Sequence, residues 1–324
     1  MLAIVIPYFK LAFFEETVQS LDNQTDRRFK VYIGDDASSE NPTFLLEKYH
    51  GKFDFVYHRF EENLGGTSLV KQWERCIALT GKEEWIMILG DDDVLGDNLV
   101  EAFYENLEEI KSISNVVRFA TCKIDEKGEE TSLVYVHPKI EKSTDFFFRG
   151  SRSSLSEYVF SKEKVKIIGF KDFPLGWFSD VLAILEFSNF KEIYTINGAV
   201  VNIRISALSI SGSQNNLELK SKSTFTFFNY LLSKKSGCFT RLEKLILLKK
   251  MNNSYLNDKK KINWFFKISN IYFINFFFID YYHFIKAMFI SYLKNNFKKH
   301  PNNLILNERE LNSFDSDFCS KNSD

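Results

Sequence analysis

Four short apolar runs, each followed by a helical pattern, fill the first third of this 324-residue chain. The runs Ala3–Ile6, Phe29–Ile33, Phe53–His58 and Trp85–Leu89 read as buried strands. After the first, Phe14, Val18 and Leu21 recur at helical spacing. Pro42 then opens a segment holding Phe44, Leu45 and Leu46. Leu69, Trp73, Cys76 and Ile77 line one side of a third helix, and Asp97 caps a fourth with Leu99, Val100, Phe103 and Leu107. Such alternation predicts the α/β class, a mostly parallel central sheet with helices on both faces. Ligands of such sheets bind beyond the carboxyl ends of the strands. The polar clusters Pro7-Tyr8, Asp35-Asp36, Asn63 and Asp91-Asp92-Asp93 lie at those ends, so four loops converge on one rim.

The acidic triplet needs a reason. Two carboxylates ~4 Å apart repel by about 4 kcal/mol at an effective dielectric near ~20. A divalent cation removes that penalty, because hard cations take carboxylate oxygens and leave positions for substrate phosphates. The alternative is a solvated turn whose aspartates cap the next helix; its place among other polar strand-end loops favours the cation.

Beyond residue 112 the pattern changes. Val116–Lys123 and Thr131–Val136 suit an antiparallel hairpin about Glu126-Lys127-Gly128. Helices are expected around Leu155–Phe160 and from Trp177, a strand at Ala199–Ile205, and helices from about 213 onward. No Gly-x4-Gly-Lys-Ser/Thr loop and no Gly-x-Gly-x-x-Gly after a strand is present, which sets aside classical nucleotide hydrolases and dinucleotide enzymes. His50, His58 and His137 are scattered singly, and the 4 Cys have no C-x-x-C spacing, so neither a zinc site nor a disulfide scaffold is indicated. Reduced thiols and a cytoplasmic location are expected. No basic leader precedes the first apolar run, and no apolar stretch is long enough to span a bilayer.

The ordered pieces resemble the family 2 glycosyltransferases: Ile4-Val5-Ile6-Pro7-Tyr8, then Ser20-Leu21-Asp22-Asn23-Gln24-Thr25, Ile33-Gly34-Asp35-Asp36-Ala37-Ser38, Asn63-Leu64-Gly65 and Leu89-Gly90-Asp91-Asp92-Asp93. The resemblance covers residues 1 to about 110, and more loosely 174–212. It implies a type A glycosyltransferase fold, a nucleotide-diphosphate sugar donor, Mn²⁺ or Mg²⁺, and inversion at the sugar's anomeric carbon. On the matched positions it implies that Pro7 and Tyr8 line the nucleoside pocket, Asp36 accepts from the base, and Asn63 belongs to the donor loop. Asp92 is then the metal ligand, with Asp91 and Asp93 beside the donor. Pro174-Leu175-Gly176-Trp177-Phe178-Ser179-Asp180 resembles the family's acceptor turn, with Asp180 as catalytic base. Asn202-Ile203-Arg204-Ile205-Ser206 with Ser209-Ile210-Ser211-Gly212 resembles its diphosphate loop, where Arg204 would meet the leaving group. Three departures stand out: Gly90 where many members carry the first Asp, Ala37 in place of Gly, and Ser206 in place of His. The competing readings are a metal-dependent nucleotidyltransferase and a non-catalytic sugar- or lipid-binding subunit.

Charge divides the chain. Residues 1–219 hold 24 basic and 35 acidic residues, 220–300 hold 16 and 3, and 301–324 hold 2 and 5. The expected organisation is a catalytic domain 1–212 (a nucleotide-sugar half 1–110 and an acceptor half 111–212), a basic aromatic helical segment 213–300, and a polar tail 301–324. Lys runs beside Trp264, Phe265 and Phe266 suit an anionic membrane surface, and equally a pair of helices that covers the active site or sheet with Phe and exposes Lys. The acidic remainder argues against nucleic acid. By analogy with the family, the acceptor is a saccharide on a polyprenyl carrier, in O-antigen or capsule synthesis at the inner face of the cytoplasmic membrane.

Overall fold

Strand β1 (Leu2–Tyr8) alternates its side chains between two cores, as a pleated strand must. Ile4 and Ile6 meet Phe14, Val18 and Phe103 on one face. Ala3 and Val5 meet Val70, Cys76 and Ile77 on the other. Both faces are therefore covered, and truncating Ile4 to Ala would cost about 2–5 kcal/mol. The computed structural model describes residues 1–150, 153–206, 216–257 and 261–299. Ser209–Gly212 of the expected diphosphate loop, most of the Lys259–Lys261 run and the tail 301–324 lie outside the described residues.

Strands β2 (Phe29–Asp35), β3 (Phe55–Arg59) and β4 (Trp85–Ile88) join β1 in parallel, with β1 between β2 and β4. The sheet continues through β5 (Val94–Leu95), β6 (Val116–Ile124), β7 (Ile140–Lys142), β8 (Tyr158–Ser161) and β9 (Glu192–Arg204). Its order is β3-β2-β1-β4-β8-β6-β9-β5, with β7 on β9. β8 runs antiparallel between β4 and β6, and β9 lies parallel to β6. The mixed α/β sheet with helices on both faces is the class expected from the sequence.

Two local expectations are corrected. The helix expected around Leu155–Phe160 is a single 3-10 turn, Leu155–Glu157, followed by β8. Tyr158, Val159 and Phe160 are buried on both faces and carry no alternation by which to recognise a strand. The segment 130–136 runs antiparallel to β6 but forms no continuous strand: it meets β6 at isolated bridges, Thr121–Tyr135 and Ile124–Glu130, and through the Thr131 N–H on the Lys123 carbonyl at 2.8 Å. Ser132 breaks the ladder by offering its Oγ to the Lys123 N–H at 2.9 Å.

The chain forms two compact units, Met1–Ser254 and Tyr255–Asp324. The helix Leu217–Lys234 belongs to the first, where Phe227 stacks on Phe178 with ring centres 4.5 Å apart. In the second, the helices Ile262–Ile274 and Phe278–Lys299 bury Ile268, Ile271, Tyr272 and Phe284. Among the described residues no helix is long and apolar enough to cross a membrane.

Candidate active site

Two residues past the end of β4 lies Gly90, where the chain turns through the acidic triplet. An added Cβ at Gly90 would stand 3.0 Å from carboxylate oxygens of both Asp92 and Asp93. That crowding explains the departure from Asp at this position. Asp91 turns back across the sheet, and its Oδ2 accepts the backbone N–H groups of Phe9 and Lys10, each at 2.8 Å. It thereby ties the end of β1 to the end of β4. Burial lifts its pKa to about 6, against the pull of those two amides.

Asp93 is buried and committed on both oxygens. Oδ1 accepts the Arg204 N–H at 2.9 Å, and Oδ2 accepts the Ser156 hydroxyl. Ser156 Oγ in turn accepts the Gly90 N–H at 3.0 Å. Asp92 differs from both neighbours. Among the described residues its carboxyl takes no donor beyond its own backbone N–H; burial raises its pKa, opposed by the charges of Lys10 and Arg204.

The end of β9 supplies Arg204, whose side chain is 0% exposed. Its guanidinium donates to the Asp92 carbonyl at 2.9 Å, to the Asp125 carbonyl at 2.6 Å and to Glu16 at 2.5 Å, and lies over the Phe13 ring. The structure therefore places Arg204 as a clamp on the acidic loop rather than as an open cation, because protein acceptors occupy its fork. Ser20 and Gln24 support the same loop from behind. Gln24 Nε2 donates to the Gly96 carbonyl at 2.8 Å and its Oε1 accepts the Val100 N–H at 3.0 Å, while Ser20 Oγ accepts the Leu95 N–H at 3.2 Å. The Ser-Leu-x-x-Gln-Thr element is thus a buttress.

At the end of β2, Asp35 accepts the Ser38 N–H at 2.8 Å, the Tyr57 hydroxyl at 2.6 Å and Arg59 at 2.7 Å. Asp36 accepts the amides of Leu64 and Gly65 at 2.7 and 2.9 Å and pairs with Arg75. Asn63 closes the turn by accepting the Gly66 N–H at 2.6 Å. The pleat separates Pro7 from Tyr8. Pro7 is half-buried, whereas Tyr8 sits in the core against Phe14 with its hydroxyl on the Glu40 carbonyl at 2.7 Å. Of that pair, only Pro7 keeps a partly open surface at the rim.

Asp180 lies in the first turn of the helix Ser179–Phe187. The approach is a tight turn: Leu175, Gly176 and Phe178 all have φ between 63° and 73°. Asp180 is half-buried, takes backbone amides at the helix start, and meets no cation among the described residues. Burial pushes its carboxyl up to about 6. This turn is linked to the donor side. Asp172 accepts the Ser68 hydroxyl at 2.8 Å, and Ser68 N–H donates to the Leu64 carbonyl at 2.8 Å.

The geometry thus gathers Asp91, Asp92, Asp93 and Arg204 into one bonded cluster, and Asp36, Asn63 and Gly65 into another. Lys10, Glu16, Arg75 and Ser156 are the parts that motif reading missed. Lys10 and Glu16 follow β1 within a few residues, so only proximity to a strand end could have flagged them. Among the described residues no group of three His, Cys, Asp or Glu side chains is arranged to hold an ion. Within the triplet Asp92 is the carboxylate that takes no hydrogen bond from another residue among the described residues, so it is the one that would hold a divalent ion. Substrate phosphates and water would complete the coordination.

The family model of glycosyl transferase family 2 matches residues 3–167. A glycosyltransferase of Streptococcus pneumoniae, GlyG, is 24% identical over 110 residues, covering 34% of this chain and 36% of its own length. An uncharacterized glycosyltransferase of Haemophilus influenzae is 29% identical over 142 residues, covering 44% and 45%. The chain thus spans less than half the length of the curated relatives it matches. The structure of S. aureus TarS 1-349 in complex with UDP-GlcNAc superposes with a TM-score of 0.58 at 15% identity, over 83% of this chain and 79% of that one.

Proposed function

Because the chain belongs to glycosyl transferase family 2, we propose that its rim binds a nucleotide-diphosphate sugar and moves the sugar, with inversion, to a saccharide hydroxyl. The observation that carries this reading is the contrast within the triplet. Asp91 and Asp93 take hydrogen bonds from residues that build the loop, while Asp92 is held beside Lys10 and Arg204 with no donor but its own backbone N–H. A nucleotide-sugar donor is also in keeping with the UDP-GlcNAc bound by TarS.

Pro7 and the loop 63–66, fixed by Asp36, form the nucleoside side. Asp92 would hold Mn²⁺ or Mg²⁺, and the ion would supply positive charge for the departing diphosphate. Lys10 stands where it adds positive charge to that oxygen cluster, the part first expected of Arg204. Arg204 keeps Asp92 in place through its backbone carbonyl. Asp180 takes the proton of the acceptor hydroxyl as that oxygen bonds the anomeric carbon and the carbon–diphosphate bond breaks. A carboxylate with a pKa of about 6 is still mostly ionised at pH 7 and is a stronger base than an exposed one.

The acceptor in this reading is a saccharide on a polyprenyl carrier, in synthesis of a cell-surface polysaccharide such as O-antigen or capsule. The segment 213–300 keeps the enzyme at the inner face of the cytoplasmic membrane. The test is a panel of nucleotide sugars with Mn²⁺ or Mg²⁺, read by thermal shift and by slow release of nucleoside diphosphate. One donor is expected to raise Tm and be hydrolysed only with metal. A panel without any response to either ion would end the reading.

A further inference from the structure

The turn between the last two described helices presents an apolar cluster to solvent. Phe273, Ile274, Phe276, Phe278, Ile279 and Tyr282 are each 52% to 76% exposed. Three of them form a ring cluster: the Phe273 and Phe278 rings are 6.0 Å apart, and Phe276 and Phe278 6.1 Å. The turn itself is firmly built. Phe277 N–H donates to the Tyr272 carbonyl at 3.0 Å and Phe276 N–H to the Phe273 carbonyl at 3.2 Å, the paired bonds of a Schellman ending. Phe277, next in line, is buried as that motif requires. Phe276 therefore occupies the left-handed position, with φ 55°, where glycine or asparagine is the usual choice. A phenylalanine there strains the backbone and leaves its ring 70% exposed.

The sequence of this helix pair is one-sided in charge. Positions 261–299 carry six lysines, of which Lys267 and Lys286 stand nearest the turn in sequence, against the single acidic residue Asp280. A second copy would bring the same excess of positive charge against itself. An anionic lipid surface complements it, with aromatic and aliphatic side chains entering the headgroup boundary and lysines meeting lipid phosphates.

We propose that the 273–282 turn is the element by which the chain docks on an anionic bilayer. This deepens the membrane reading given above and rests on it only for its purpose; the vesicle measurement below does not depend on sugar transfer.

The test is flotation of the full chain with phosphatidylcholine vesicles, with and without phosphatidylglycerol, at low and high salt. The wild type is expected to float with the anionic vesicles and to be released by salt. The double variant Phe276→Gly, Ile279→Ser is expected to keep or raise Tm, because glycine suits the left-handed position, while vesicle partitioning falls about tenfold or more. Equal flotation of wild type and variant would overturn the proposal. So would wild type that stays soluble with both compositions, or a wild-type dimer that the variant dissolves while neither binds vesicles. The donor-dependent thermal shift is recorded on both proteins. If vesicles bind but no donor does, the docking turn stands and the transferase reading falls. The reverse result separates them equally well.

Discussion

The ends of β2 and β4 both present adjacent aspartates, and the structure treats them differently. At β2 each carboxylate is consumed: Asp35 by Tyr57, Arg59 and the Ser38 amide, Asp36 by Arg75 and two loop amides. At β4 the outer two take bonds from other residues, Asp91 on one oxygen from the Phe9 and Lys10 amides and Asp93 on both from Ser156 and the Arg204 amide, while Asp92 takes only its own N–H. The more of a carboxylate's lone pairs that accept protein donors, the less is left for a ligand. Adjacent residues of one chemical type thus divide into loop builders and a ligand-facing group, according to what packs against them.

The sharpest way to break that division is Asp92→Asn. Transfer is expected to fall by about a thousandfold or more, equivalent to about 4 kcal/mol of transition-state stabilisation. Tm is expected to hold, because no described side chain loses a hydrogen-bonding partner. Asp91→Asn costing more activity than Asp92→Asn at unchanged Tm would mean that the two roles are assigned the wrong way round.

Asp93→Ala tests the other half of the comparison. It strands the Arg204 N–H and the Ser156 hydroxyl in a buried site, at about 2–4 kcal/mol of folding stability. Urea unfolding is the measurement, and a variant as stable as wild type would remove Asp93 from the list of builders. At β2 the corresponding change is Gly65→Ala. A Cβ there would lie 2.6 Å from Asp36 Oδ2, so the loop must move off its carboxylate. A cost of about 1–3 kcal/mol is expected, together with a weaker donor-induced thermal shift. An unaltered shift would show that this loop does not form the nucleoside side.

Much of this arrangement was legible before any coordinates. The parallel half announced itself because its strands are apolar and separated by helical spacing, and the positions of the acids at strand ends followed from that. The division of labour among the acids was not legible. Asp93 is held by Ser156 and Arg204, 63 and 111 positions away, and no local pattern encodes such pairings. Ser156 was further hidden by β8, whose Tyr-Val-Phe core is buried on both faces and reads equally well as helix. Tyr8 and Pro7 illustrate a smaller limit. Sequence placed them together at a strand end, but the pleat sends one into the core and leaves the other at the rim.

Asp180 offers the smallest effect and the finest test. Its pKa is raised to about 6, above the ordinary value of 3.8, with burial as the cause. The folded state therefore holds its proton more tightly than the unfolded chain does. Stability from this group is fullest below about pH 4 and is lost as pH rises through about 6. Asp180→Asn removes the buried charge while keeping an acceptor at the helix start. At pH 7.5 the variant is expected to be more stable than wild type by about 1–2 kcal/mol, after allowing for its partial exposure. Near pH 4 the two should melt together. Transfer by the wild type is expected to fall below a midpoint near pH 6, and the variant should lack transfer at every pH while still binding donor. A variant that melts like wild type at both pH values would show that burial does not strain this carboxylate. The raised basicity assigned to it would then have no physical source.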